Sequence, residues 1–184
     1  MKKGTQASAK APAARTTLAQ KVRVLEDIEA IKQLKALYCK YCDGGWAGPT
    51  HDYDKIAALF TEDAVTDGTA GRTQGRENIR RLYKSYQASP LAFHRVTNPI
   101  IEVAGDRASG NWHVLVAILR PDNQAVWVAG IYDEEYARTR EGWRIKTLKF
   151  TPAFITRYEK GWGKERAVPV QRPRGASPSA RAAA

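Results

Sequence analysis

The chain has 184 residues, 43% of them hydrophobic, and carries 30 Lys and Arg against 19 Asp and Glu for a formal net charge of +11. That length can bury one sizeable core, leaves a second domain cramped, and holds no apolar run that would cross a bilayer as a helix. Residues 1–22 carry five basic residues and no acid, and residues 157–184 carry seven against two acids, which leaves +1 for residues 23–156. The charge therefore belongs to Ala-, Pro- and Ser-rich ends. The near-neutral middle carries no RNA- or DNA-binding motif with interleaved aromatics, which argues against nucleic acid as a partner.

Residues 1–17 read as a disordered basic tail. They lack the apolar centre of a secretory signal, so a cytoplasmic location is expected. Leu18 to Cys42 is predicted helical, with Arg23 the point where a break would fall. Leu25, Ile28, Ile31, Leu34, Leu37/Tyr38 and Tyr41/Cys42 recur every three or four residues, the period of one buried face. Gly44-Gly45 supplies left-handed residues of the kind that end helices. In the loop Asp43 to His51, Trp46 is a candidate lid over a pocket and His51 reads as exposed. Tyr53 to Phe60 is expected as a short helix and Ala64 to Asp67 as a short strand. Asp67 and Arg72 are read as a surface ion pair. After a Gly-rich connection, Ile79, Leu82, Tyr83 and Tyr86 mark a third helix that Pro90 ends.

From Leu91 to Phe154 the period shortens to two. Four strands are predicted, broken at Ala104-Gly105-Asp106, Pro121-Asp122-Asn123 and Arg140-Glu141-Gly142. Trp112, Val114, Val116 and Ile118 alternate on one strand, so one of its faces is buried. Residues 161–184 form a second basic, low-complexity tail. The prediction is one α+β domain over 18–160, with helices packed on one face of a curved antiparallel sheet around a cone-shaped pocket.

Chemistry concentrates at the end of the first helix, where Tyr38, Tyr41, Cys42 and Asp43 put hydroxyls, a thiol and a carboxylate beside the apolar face. Cys39 and Cys42 form a Cys-x-x-Cys without further ligands at finger-like spacing. They read as small core residues, and no metal is expected.

The phrases IEAIKQLKALYCKYCDGG, IAALFTEDAV, GRTQGRENIRRLY, FHRVTNPIIEV and RASGNWHV follow one another between Leu25 and Phe154. Together they resemble the SnoaL-like branch of the nuclear transport factor 2-like superfamily, which implies a cystatin-like α+β fold. In the dehydratase and dehydrochlorinase members, an Asp ending the first helix partners a His on the first long strand. The resemblance places those roles on Asp43 and His94, and Tyr38 matches the tyrosine of the dehydratase pattern. A neutral imidazole is a base near pH 7, and a carboxylate on its other nitrogen fixes the tautomer and stabilises the imidazolium. Five residues on an ideal helix turn through about 140°, so Tyr38 and Asp43 share a pocket only if the last turn unwinds. Two family positions differ here: Val116 stands where the dehydratase pattern has an acid, and Thr156 where it has a basic residue.

The resemblance implies a cofactor-independent lyase of the dehydratase type acting on a bulky hydrophobic cyclic or aromatic molecule, with His94, Asp43 and Tyr38 as catalytic residues. Trp46, Tyr53, Asn98, Trp112, His113 and Val116 are candidate substrate contacts. Asn98 shares the parity of His94, whereas His113 opposes the Trp112 face. Two alternatives stand beside this: a carbon–carbon lyase releasing formaldehyde from a lignin-derived diaryl compound, and a non-catalytic binding or assembly module. The open face of such a sheet is expected to pack on copies of itself through Trp127, Val128 and Ile131, as a homotrimer in preference to a dimer.

Overall fold

The computed structural model describes residues 16–46, 48 and 51–161. Apart from Thr16, Thr17 and Gly161, the two expected tails lie outside the described residues. Helix α1 (Leu18–Cys42) runs unbroken through Arg23. A capping box starts it: the Thr17 hydroxyl accepts from the Gln20 N–H, and the Gln20 side chain accepts from the Thr17 N–H.

The buried stripe of α1 has the expected period but different members: Asp27, Ile31, Leu34, Lys35, Tyr38 and Cys42. Leu25 is 64% exposed and Leu37 38%. Two charged residues lie in the stripe because the opposing sheet supplies their partners. Asp27 accepts from Arg138 at 2.5 Å and from Trp143 Nε1 at 3.1 Å. The Arg138 hydrogen bond leads in holding its carboxyl below the usual carboxylate range. Lys35 Nζ lies 2.5 Å from Glu134 Oε1, with both side chains almost fully enclosed. The ammonium also sits 3.8 Å from the Tyr132 ring centre and 4.4 Å from that of Tyr38. Glu134 accepts a second bond from the Tyr136 hydroxyl, which in turn accepts from Trp112 Nε1 at 2.9 Å. Gly110 makes room for this chain, since a Cβ there would meet Tyr136 Cε2 at 2.9 Å and Trp112 Nε1 at 3.1 Å.

Helix α2 (Tyr53–Ala58) is shorter than predicted because Phe60 opens a strand. That strand, β1 (Phe60–Gly68), turns back into β2 (Gly71–Gln74), a hairpin in what reads as a Gly-rich connection. Asp67 and Arg72 face each other across it as register partners. Helix α3 (Arg76–Ser85) follows, then β3 (Leu91–Ala104), β4 (Arg107–Leu119), β5 (Ala125–Thr139) and β6 (Gly142–Arg157), with breaks where the turn residues predict them.

The sheet order is β2-β1-β6-β5-β4-β3, antiparallel throughout except where β1 runs parallel to β6. Its ends do not meet, and α1 and α3 pack on the inner face. Trp112, Val114 and Val116 point inward and are buried, as their alternation predicts, with Ile118 half-buried at the rim. Among the described residues, no helix is long and apolar enough to cross a membrane.

Candidate active site

Asp43 ends α1 by leaving the helical region itself (φ −81°, ψ 152°), while its N–H still donates to Cys39 O at 2.9 Å. Neither Gly44 nor Gly45 adopts the left-handed conformation expected of a helix stop. Gly44 instead bridges to β3: its N–H donates to Ala92 O at 2.9 Å, and the Ala92 N–H donates back at 3.1 Å. This bridge fixes the end of α1 two residues from His94. It also removes the angular difficulty, because the extended backbone at Asp43 no longer follows the helical rotation.

Asp43 Oδ1 accepts from the His94 backbone N–H at 2.8 Å and lies 2.7 Å from His94 Nδ1. Both side chains are largely enclosed, at 21% and 13% exposure. A carboxylate can only accept, so Nδ1 carries a proton, and in the neutral imidazole this puts the lone pair on Nε2. The Tyr38 ring stands edge-on to the His94 ring at 6.3 Å, and its hydroxyl lies 2.8 Å from that of Tyr83. Burial, reinforced by neighbouring Tyr132 and Tyr83, raises the Tyr38 phenol well above the ordinary tyrosine value. Burial likewise leads in raising Tyr83. Both phenols therefore stay protonated and act as hydrogen-bonding groups, not bases.

A cavity of about 410 Å³ opens beside these residues, walled largely by apolar and aromatic side chains that include Val116, Val128, Tyr132, Phe150 and Ile155. Tyr86, also in the wall, is pushed up to about 12 by burial. His51 is half-buried in the wall, contrary to the expectation of an exposed loop residue. Its ring sits between Cys42 O at 3.1 Å and Tyr83 O at 2.8 Å, joining the C-terminal ends of α1 and α3.

Tyr38, His94 and Val116 line one cavity, and Asp43 contacts it only through His94, while the other expected contacts lie away from it. Trp46 is 80% exposed and outside the wall. Tyr53 packs under Arg80 and Lys84, whose charges sit 5.1 and 5.5 Å from its ring centre. Trp112 belongs to the core through its bond to Tyr136. A bulge between Thr97 and Ile100, with Asn98 at φ 53°, breaks the parity that Asn98 was expected to share with His94. Asn98 is exposed instead, 3.3 Å from the equally exposed His113. Thr156, in the position of the family's basic residue, is fully buried and pairs with Trp127, while Ile155 faces the cavity.

Cys42 is buried and Cys39 half-buried against the core, and burial pushes the Cys39 thiol up to about 11 and Cys42 higher still. At pH 8 both are thiols in the folded state. Their reaction with an aromatic disulfide reagent is expected to run about 10³-fold slower than in urea. Equal rates in the two conditions would place them at the surface.

A SnoaL-like domain model matches residues 23–149. A search among curated proteins gave no significant match. Among solved structures, a candidate aromatic ring hydroxylase from Novosphingobium aromaticivorans is 28% identical at a TM-score of 0.66, over 72% of this chain and 94% of the other. A type 3 hexachlorocyclohexane dehydrochlorinase from Novosphingobium barchaimii is 22% identical at 0.65, over 74% and 93%. A candidate scytalone dehydratase from N. aromaticivorans is 18% identical at 0.68, over 86% and 99%. The latter two share the fold with this chain. With the domain model spanning α1 to β6, and the helix-on-curved-sheet architecture in agreement, the chain belongs to the SnoaL-like domain family of the nuclear transport factor 2-like superfamily.

Proposed function

We propose that this protein is a cofactor-independent lyase acting on a bulky, largely apolar cyclic or aromatic alcohol. The reading is carried by the 2.7 Å contact between His94 Nδ1 and Asp43 at an aromatic-walled cavity, which leaves Nε2 free to act as a base. His94 takes a proton from the carbon next to the one bearing the hydroxyl. Asp43 stabilises the imidazolium, and Tyr38, which stays protonated, donates a hydrogen bond to the departing oxygen. The C–O bond breaks, the double bond forms, and the proton held by His94 leaves with the hydroxyl as water.

A second reading is favoured by one position. With Val116 in the wall in place of an acid, the departing hydroxyl has no carboxylic proton donor there. Carbon–carbon cleavage needs none: His94 removes the proton of a hydroxymethyl oxygen, the C–C bond breaks as formaldehyde leaves, and the electron pair left on carbon takes that proton back from the imidazolium. For assembly, we propose a homotrimer built on the outer sheet face, where Trp127 and Ile131 lie beside exposed Phe93 and Leu115. Val128 drops out of that set because it points into the cavity.

The test is a turnover screen, without added metal or cofactor, on hydroxylated steroids, aryl alcohols and diarylpropanes. His94→Gln is expected to lower turnover by about 10²–10⁴-fold while leaving ligand affinity within about tenfold. Formaldehyde in the product selects the second reading over the first. Turnover unchanged by His94→Gln sinks both, and a ligand that binds without ever being turned over favours a binding module.

A further inference from the structure

One polar group in the cavity wall has no partner. Thr66, on the inner face of β1, is 5% exposed, and its hydroxyl is buried with no hydrogen-bonding atom in reach. Its register partners are Thr73 on β2 and Leu148 on β6. An unpaired buried hydroxyl is destabilising, and valine would fill the same space without that cost. In the sheet, Thr66 and His94 stand on opposite flanks, separated by β6, β5 and β4. Between them the wall is apolar, with Leu148, Phe150, Val128 and Val116 all lining the cavity.

We infer that the Thr66 hydroxyl is a second anchor for substrate. The substrate class that fits is two-ended: an alcohol at His94, an apolar aromatic body across the middle strands, and a phenolic hydroxyl or ether oxygen at β1. Because the hydroxyl is buried, a ligand oxygen meets it after one rotamer step of the Thr66 χ1 turns it into the cavity. This inference rests on the proposed reading for the His94 end only, since the Thr66 end is tested by binding alone.

The probes are 1,2-diphenylethanol and 1-phenyl-2-(4-hydroxyphenyl)ethanol, which differ by one phenolic hydroxyl. Calorimetry with the full chain is expected to show about tenfold tighter binding of the phenol, the size of one hydrogen bond. Thr66→Val erases that preference, Thr66→Ser keeps it, and His94→Gln leaves it intact. Without ligand, Thr66→Val melts above the wild type, because it removes a polar group that the empty site leaves unpaired. The inference is overturned if the wild type shows no preference or binds neither compound, or if the preference survives in Thr66→Val. It is also overturned if Thr66→Val melts lower, which would make the hydroxyl structural. Should Thr66→Val not fold, Thr66→Ala replaces it in the same comparison. Turnover plays no part in these readouts, so the anchor and the lyase reading fail separately.

Discussion

Lys35→Met is expected to lower the unfolding free energy by about 3–5 kcal/mol, read from urea denaturation near neutral pH. The size follows from what the substitution leaves behind. Glu134 is 3% exposed and takes the Lys35 ammonium on one oxygen and the Tyr136 hydroxyl on the other. Without Lys35, a carboxylate remains in the core with one neutral donor. Lys35→Met combined with Glu134→Leu is expected to recover most of that loss, because an apolar pair of similar volume leaves only the Tyr136 hydroxyl without its acceptor. A single variant within about 1 kcal/mol of wild type would mean that water reaches the pair.

Asp43→Asn is expected to reduce turnover by about 10²–10⁴-fold with little change in stability. Asp43 Oδ1 faces two donors, the His94 N–H and Nδ1. An asparagine that keeps its oxygen there holds the ring but no longer offsets the imidazolium charge. One that presents its amide instead donates to Nδ1 and drives the ring proton onto Nε2, the atom proposed as base. Either orientation impairs proton abstraction, so the loss should appear in kcat, with KM nearly constant. Turnover kept within about tenfold would remove Asp43 from the chemistry and leave it as a tether between α1 and β3.

Much of this architecture can be read from periodicity and turn residues, because strands β3 to β6 obey short-range rules. Hairpin breaks need only their own few residues, and the Trp112 alternation needs one buried face. What stays hidden depends on distant partners. Asp27 and Lys35 look like solvent-facing charges on α1 until β5 and β6 supply Arg138, Trp143 and Glu134. The β1–β2 hairpin hides in a Gly-rich connection because its stability comes largely from lying along β6. At the site, the Asp43 and His94 positions follow from the family resemblance, and their contact follows from the Gly44–Ala92 bridge, which no local pattern announces. Asn98 misleads because a bulge is one residue long and resets the parity after it. His51 carries no signal beyond being a histidine, since both carbonyls it meets come from helix ends elsewhere in the chain.

The charged stripe of α1 also bears on the order of events during synthesis. Lys35 and Glu134 are 99 positions apart, and Asp27 is 111 and 116 from Arg138 and Trp143. At ribosomal speeds of about 5–20 residues per second, the helix waits several seconds for these partners to be made. Through that interval its future inner face carries one positive and one negative group, which oppose burial against apolar surface that lacks their counterparts. The same residues that lock α1 to the finished sheet thus keep it from settling early on an incomplete one.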